Sequence, residues 1–562
     1  MAGMDVSPDS PPSLPPPHRW MLASVLVGLF VAIVLLATSP GLPMAWDEGN
    51  AIWRARGIQR WAERVVQRRG EPFGRKAIAE YWWYTTRIEG HPPFYGIVIA
   101  LGRRLSESWL DPLQSARFGP IVLFGLAAGA MFYRMGREYS AAAAVGAVGA
   151  LLLMPRVFAH AHFASFDGPL TSCWVLAWAL FGPARTSWAK AGLFGVVLGM
   201  ALACKAPGWA APLPFLAWTV LNRDRPGAKA LAIALPVALA AFFLLNPPLW
   251  HDPIRGFETF VAMNVGRGRF NISTQFLGRM YNLDHPLPWY NTLLWTGITV
   301  PLGTLPLIVA GAGRAVRRWR AEPAGTLLLA GASTLLVLRA LPLAPPHDGV
   351  RLFLPSFAFL AALAGVGVDG LLARSAPGSR ALRPGRPVRW AGLVLIYAGS
   401  LSSLLWYAPQ WLSYYNLAIG GLPGATALGM EPTYYWDALD RDVLDWLDRH
   451  TGPDEKVCFA APSVENLTLM RRWGTLPVEF RAEAPGAYRW YVIQHRPSGW
   501  QSVDRRLIEN ARPAYQKTIR PIGWGPWRLD QPLISIYRYE AHLEAVRAAG
   551  NRGDGLERPS PG

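Results

Sequence analysis

The chain has 562 residues, of which 51% are hydrophobic and only 16% are charged. A soluble domain carries about 25% charged residues, so this composition excludes an ordinary soluble protein and predicts a mainly α-helical, polytopic membrane protein. The net charge of +18 does not indicate a nucleic-acid partner, because the basic residues lie in short loops between apolar runs and not on one basic face.

Residues 1–19 are rich in proline and serine, which predicts a disordered cytoplasmic tail. Apolar runs recur over residues 20–407 and predict a transmembrane domain of about eleven helices. The fifth and sixth runs are nearly continuous, but Pro207 and Gly208 predict a tight turn between two short spans. The spans are expected near 20–39, 117–133, 139–155, 166–182, 190–204, 207–221, 228–245, 292–311, 324–341, 352–373 and 388–407.

Arginine and lysine residues alternate between rich and poor loops along these spans. With a cytoplasmic N-terminus, the inner loops carry clusters such as residues 314–320, whereas the short outer loops carry few basic residues, such as Lys205. This asymmetry has the sign of the positive-inside rule. We therefore expect a multi-pass protein of the cell inner (plasma) membrane, with its C-terminal domain outside the cytoplasm.

Two long outer segments are expected, over residues 40–116 and 246–290. Within the first, Ala51 to Arg69 has the spacing of an amphipathic helix that lies in the membrane interface, and Phe94 to Leu101 is apolar but too short to span. Residues 408–549 alternate helical and strand patterns and predict a small extracytoplasmic α/β domain. Residues 550–562 are expected to be a disordered tail.

Asp47 and Glu48 directly follow the first apolar run. A charged carboxylate beside hydrocarbon raises the free energy of the protein, so acids at the end of a membrane span are functional candidates. A base at this position could accept the proton of an acceptor hydroxyl or amine in a group-transfer reaction. Equally, the pair could simply begin the next helix, stabilised by its dipole.

Three further charges stand alone at the predicted outer ends of spans: Asp167, Lys205 and Arg351. Lys205 and Arg351 could bind a phosphate group of a substrate and stabilise it as a leaving group. The alternatives are that Asp167 caps a helix and that the two cations reach to the membrane interface.

Two histidines, His91 and His285, each lie beside a carboxylate and prolines. A histidine with an acid can hold a divalent metal, although the spacing is not that of a tight ligand set and surface-loop histidines fit as well. The three cysteines predict neither a disulfide framework nor a metal site.

Five short stretches resemble the GT-C membrane glycosyltransferases, specifically the group of protein O-mannosyltransferases and bacterial lipid A aminoarabinose transferases. Their order and their positions relative to the spans agree with that group over about residues 20–430. The stretches are Trp46-Asp47-Glu48, His91-Pro92-Pro93-Phe94-Tyr95, Asp167-Gly168-Pro169-Leu170, Gly199 to Lys205, and His347-Asp348-Gly349-Val350-Arg351-Leu352-Phe353-Leu354-Pro355.

The resemblance implies a role for each candidate. Asp47 would be the base or acceptor-orienting acid, with Asp167 as the second acid of the site. Lys205 would bind donor phosphate, with Arg351, Glu48 and His91 in the substrate site. Some members of the family hold a metal through an acid before the Pro-Pro pair and a histidine before the eighth span, here Glu89 and His285.

The resulting hypothesis is an inverting hexosyl or pentosyl transferase that moves a sugar from a polyprenyl-phosphate donor to an extracytoplasmic lipid, glycan or protein. No cofactor is required by the sequence, and a divalent metal is a further candidate. The alternative is a transporter or flippase of a lipid-linked substrate. Charges near the bilayer midplane would favour that alternative, whereas here they cluster at the predicted outer face.

Overall fold

The computed structural model describes residues 17–83, 90–265, 272–342, 344–373, 385–481, 488–519 and 530–550. The predicted disordered tails fall largely outside these ranges, although the first helix already begins at Pro17. The helices are α1 (Pro17–Thr38), α2 (Glu48–Val66), α3 (Arg75–Tyr81), α4 (Phe94–Ser106), α5 (Pro112–Glu138), α6 (Ala141–Leu152), α7 (Pro155–His162), α8 (Asp167–Ala184), α9 (Trp188–Leu202), α10 (Leu213–Leu221), α11 (Arg225–Leu244), α12 (Pro253–Val265), α13 (Asn291–Thr299), α14 (Thr304–Arg317), α15 (Pro323–Ala340), α16 (Leu354–Leu372), α17 (Arg386–Tyr407), α18 (Gly421–Ala427), α19 (Arg441–His450), α20 (Val464–Arg472), α21 (Ser502–Asn510) and α22 (Tyr539–Gly550). The strands are β1 (Thr274–Phe276), β2 (Arg279–Tyr281), β3 (Lys456–Phe459), β4 (Glu479–Arg481), β5 (Trp490–Gln494), β6 (Tyr515–Ile519) and β7 (Gln531–Arg538).

The predicted fold class is confirmed: the chain is a mainly helical, multi-pass membrane protein with a small α/β region at its C-terminal end. Within the described ranges, six helices are long and apolar enough to cross a membrane, and the bent pair α6 and α7 would make a seventh. The six are α1, α5, α11, α15, α16 with the turn before it, and α17. The other predicted spans also fall on helical residues, but on shorter or less apolar helices, so the number of about eleven spans stays a prediction.

Small residues bring the membrane helices into close contact. A Cβ atom at Gly28 of α1 would lie 2.9 Å from the carbonyl oxygen of Gly125 in α5, and one at Gly129 would lie 2.5 Å from that of Ser24. Side chains larger than hydrogen would separate the two helices. Packing of this kind replaces the hydrophobic effect in lipid, because hydrocarbon chains are as apolar as the helix surfaces.

The predicted turn between the fifth and sixth runs is present. The helix α9 ends at Leu202, and a short 3₁₀ turn over Ala206–Ala210 precedes α10. Lys205 has an extended backbone between them, with φ of −166° and ψ of 159°. The break therefore turns the side chain of Lys205 away from the helical periodicity of α9.

Charged residues gather at two places in the helical domain. Arg134, Arg185 and Arg314, from loops predicted to be inner, line one cavity together with Glu322 and Asp369. The candidate residues from loops predicted to be outer meet elsewhere, as described below. These two groups of charged residues are separate in the structure, and the topology relative to the membrane and the cytoplasm stays a prediction.

The C-terminal region forms a five-stranded sheet with the order β4-β3-β5-β7-β6. Strand β3 pairs in parallel with β4 and β5, whereas β7 pairs antiparallel with β5 and β6. Strand patterns in the sequence at residues 456–460, 490–494 and 533–539 predict three strands, which correspond to β3, β5 and β7. The helix α20, which joins β3 to β4, lies against α2 of the membrane domain.

Candidate active site

Asp47 lies immediately before α2, where the first helix, the α16 region and the C-terminal region meet. Its Oδ2 accepts hydrogen bonds from Arg351 Nη1 at 2.5 Å and from the Tyr435 hydroxyl. The same Arg351 nitrogen donates to the Tyr435 hydroxyl, and Nη2 donates to Asp348. The Asp47 side chain is 18% exposed, so it borders solvent while its carboxylate is fixed from one side.

Asp167 and Lys205 form a second, deeper pair. Lys205 Nζ donates to Asp167 Oδ1 at 2.9 Å, with both side chains buried. Burial lowers the pKa of Lys205 to about 8, against the opposing effect of Asp167. Asp167 Oδ2 has no hydrogen-bond partner among the described residues and lies 3.7 Å from Arg351 Nη1. One oxygen of this acid is therefore placed to accept a hydrogen bond from a substrate.

The ring of Phe166 joins the two pairs. Lys205 Nζ lies 4.1 Å from the centre of this ring, and the Arg351 guanidinium lies 5.7 Å from it. The ring of His91 packs on Phe166 with centroids 4.9 Å apart. The structure thus brings together Asp47, Asp167, Lys205, Arg351 and His91, which come from five different segments of the chain.

Glu48 occupies a different position from its neighbour. Arg117 donates to both of its oxygens at 2.8 Å, and the backbone nitrogens of Ala164 and Ala45 donate to them at 2.8 and 2.9 Å. Arg117 also donates to the carbonyl oxygens of Leu42 and Pro43. Since both oxygens are engaged and the residue is fully buried, this arrangement gives Glu48 the task of holding the loop before α2 and leaves no oxygen facing a sugar.

The charges of the site are nearly balanced. Arg496 Nη2 donates to Asp348 Oδ1 at 3.0 Å, and Arg496 Nε lies 3.6 Å from Glu431. Burial raises the pKa of Asp348, but Arg351, His347 and Arg496 outweigh burial and hold it well below its usual range. Burial raises the pKa of Glu431. Three acids, Asp47, Asp167 and Asp348, thus face three basic side chains, which are those of Lys205, Arg351 and Arg496.

The predicted metal ligands do not meet in the part of the chain that the structure describes. Glu89 lies outside the described residues. His285 is an exposed loop residue whose backbone pairs with Asn282. No three His, Cys, Asp or Glu side chains gather as metal ligands in the described ranges. The divalent metal therefore stays a prediction, and no step below passes through it.

Sequence reasoning missed Tyr435 and Arg496 as members of the site, and it placed Asp348 only within a motif. Tyr435 and Arg496 belong to the region after α17, which has no charge pattern that points to a membrane-embedded partner. The aromatic run Thr433-Tyr434-Tyr435-Trp436 is the one available signal, because buried tyrosines need a hydrogen-bond partner.

Comparison with known proteins agrees with this architecture. The sequence profile of the family described as dolichyl-phosphate-mannose-protein mannosyltransferase matches residues 90–251. The crystal structure of ArnT from Cupriavidus metallidurans bound to undecaprenyl phosphate superposes with a TM-score of 0.50 at 17% identity, over 93% of this chain and 99% of that chain. The oligosaccharyltransferase of Archaeoglobus fulgidus superposes with a TM-score of 0.46 at 11% identity, over 92% of this chain and 74% of that chain. No curated protein sequence gives a significant match.

The resemblance stated from the sequence is therefore confirmed at the level of the fold. The chain has the GT-C fold, and its residues 90–251 are similar to the dolichyl-phosphate-mannose-protein mannosyltransferase family. The profile covers the segment from the His91 motif through α11, which includes Asp167 and Lys205.

Proposed function

We propose that the protein is an inverting glycosyltransferase that moves a sugar from a polyprenyl-phosphate donor to an extracytoplasmic acceptor. The observation that carries this proposal is the buried pair of cations, Lys205 and Arg351, which lie beside two carboxylates at the ends of membrane helices. The structural relative is an ArnT with undecaprenyl phosphate bound, which supports the same class of donor here.

The donor phosphate would lie between Lys205 and Arg351. Both side chains are almost fully buried, and electrostatic stabilisation is strongest where water is excluded. As the bond between C1 of the sugar and the phosphate oxygen breaks, its electrons remain on that oxygen. The two cations then stabilise the additional negative charge on the departing polyprenyl phosphate.

Asp47 would act on the acceptor. The acceptor oxygen or nitrogen attacks C1 from the face opposite the phosphate, which inverts the configuration, and its proton passes to the Asp47 carboxylate. General-base assistance of this kind contributes roughly 10²–10⁴-fold to a rate. Asp167, with Oδ2 available, would orient a hydroxyl group of the donor sugar.

The experiment follows release of free polyprenyl phosphate by purified protein in detergent. A panel of radiolabelled polyprenyl-phosphate sugars is supplied with and without a membrane extract as the source of acceptor. We expect release that requires the extract and is lost in Asp47→Asn. The matched control is Asp445→Asn, since Asp445 is 60% exposed on α19.

The same experiment separates the alternatives. Donor binding without release, in folded protein, would contradict the transferase and favour a flippase or transporter, which solute or lipid movement in proteoliposomes would then test. Full release by the Asp47→Asn variant would contradict the role of Asp47 and leave the enzyme class intact.

A further inference from the structure

Asp47 occupies the N-cap position of α2 but does not cap the helix. The first amides of a helix have no partner within it, and aspartate at the N-cap usually accepts a hydrogen bond from one of them. Here the Asp47 side chain makes no such bond. It is directed instead at Arg351 and Tyr435.

The cap of α2 comes from the C-terminal region. The side-chain oxygen of Asn466 accepts a hydrogen bond from the Gly49 amide at 2.8 Å, although the two residues are separated by 417 positions. The side-chain nitrogen of Asn466 donates to the carbonyl oxygen of Ala45 at 2.9 Å. One buried carboxamide thus holds the backbone on both sides of Asp47 and Glu48.

Neighbouring contacts support the same placement. The hydroxyl of Ser463, which begins α20, donates to the carbonyl oxygen of Trp46 at 3.3 Å. A Cβ atom at Gly49 would lie 2.4 Å from the Asn466 oxygen and 2.7 Å from its backbone nitrogen. The absence of a side chain at residue 49 is therefore what allows α20 to approach the start of α2.

We propose that Asn466 is a positioning residue for Asp47: it caps α2 from the C-terminal domain and thereby leaves the Asp47 carboxylate directed into the site. This inference rests on the proposed function in treating Asp47 as the acid that acts on the acceptor. It also gives the C-terminal domain a role in the reaction, since this domain supplies both Asn466 and Tyr435.

The variant Asn466→Ala leaves the Gly49 amide without its acceptor. Asp47 occupies the N-cap position of α2, and we expect its carboxylate to turn to this amide, cap its own helix and leave Arg351. We expect turnover to fall about tenfold to a hundredfold, because misplacement of a reacting group by roughly 1 Å has effects of that size. Donor affinity should stay equal or increase, since Arg351 loses a competing carboxylate.

The matched control is Asn510→Ala. Asn510 is exposed on α21 and donates to the carbonyl oxygen of Arg506 in its own helix, so turnover and donor affinity should match those of the wild type. Asn466→Asp keeps an acceptor for Gly49 and removes the donor to Ala45. It should therefore retain more turnover than Asn466→Ala.

Turnover of Asn466→Ala within twofold of the wild type would overturn the proposal. A parallel loss of turnover and donor affinity would also overturn it, because that result describes general damage to the fold. If Asn466→Ala does not fold, Asn466→Asp carries the test, because it keeps the acceptor for the Gly49 amide. Turnover within about threefold of the wild type supports the proposal, and a loss of tenfold or more in the folded variant overturns it.

A second readout needs no turnover and so separates this inference from the proposed function. If Asp47 replaces the missing cap, Asp47→Ala should change the Tm by different amounts in the wild type and in the Asn466→Ala background, because the carboxylate bonds Arg351 and Tyr435 in the first and the Gly49 amide in the second. Equal shifts in the two backgrounds would contradict the capping argument even if the protein proves to be a transferase. Absence of release from every donor would refute the proposed function and leave this measurement valid.

Discussion

Replacing Asp47 with asparagine should tighten donor binding while it abolishes transfer. In the structure, Arg351 is already paired with Asp47 and Asp348, and Lys205 is paired with Asp167. A donor phosphate adds negative charge to a cluster whose acids and cations are balanced. The phosphate must therefore share Arg351 with Asp47, and removal of the Asp47 charge relieves that competition.

The size of the effect follows from Coulomb's law. A phosphate that reaches both cations would lie roughly 6 Å from the Asp47 carboxylate, and an effective dielectric constant of about 20 gives a repulsion of about 3 kcal/mol. Entry of water would halve this value. The expected gain in donor affinity is therefore about tenfold to a hundredfold.

The assay is equilibrium binding of a polyprenyl-phosphate sugar, and of polyprenyl phosphate alone, to purified protein in detergent. Asp445→Asn again serves as the control for loss of one aspartate charge at a distance from the site. Weaker donor binding by Asp47→Asn would refute the charge argument, because it would mean that Asp47 attracts the donor and does not compete with it.

Three further predictions concern neighbouring residues. Donor affinity of the wild type should fall as the pH rises through about 8, because Lys205 of the donor-free protein loses its proton there. Lys205→Arg should remove this fall, since arginine stays charged. Titration of donor binding between about pH 6 and pH 10 measures both. Glu48→Ala should destabilise the protein by about 3–5 kcal/mol, because it leaves Arg117 buried without its carboxylate partner. Thermal unfolding measures the loss of stability, and a small shift in Tm would contradict the prediction. Tyr435→Phe should lower kcat by about tenfold or more with little change in donor affinity. The Tyr435 hydroxyl orients Asp47, and a hydrogen bond to a charged group contributes about 1.5–3 kcal/mol. An unchanged kcat would show that Arg351 alone fixes the carboxylate.

Much of the membrane domain follows from local sequence. Runs of apolar residues must form helices in lipid, because every backbone amide and carbonyl needs a partner there. The break at Pro207 and Gly208 could be predicted because proline and glycine disrupt helical geometry irrespective of their surroundings. Isolated charges at the ends of apolar runs indicated Asp47, Asp167, Lys205 and Arg351 for the same reason, since a charge near hydrocarbon is costly.

Residues of the C-terminal region carried no such signal. Arg496 and Asn466 are ordinary members of a polar sequence, in which a polar residue can equally be exposed. Tyr435 lies in an aromatic run, which indicates burial but not the partner of its hydroxyl. Their roles depend on contacts with residues hundreds of positions away in the chain. Short-range periodicity contains no information about such contacts.

The sequence by itself determined that the chain spans a membrane and which charged residues are functional candidates. The tertiary structure decided how those charges are used. Asp47 and Glu48 are adjacent and chemically alike, yet Glu48 is saturated by Arg117 and backbone amides, whereas Asp47 faces the cations of the site. The difference arises because Asn466 supplies the cap of α2 from the other end of the chain, which leaves the Asp47 carboxylate available for Arg351 and Tyr435.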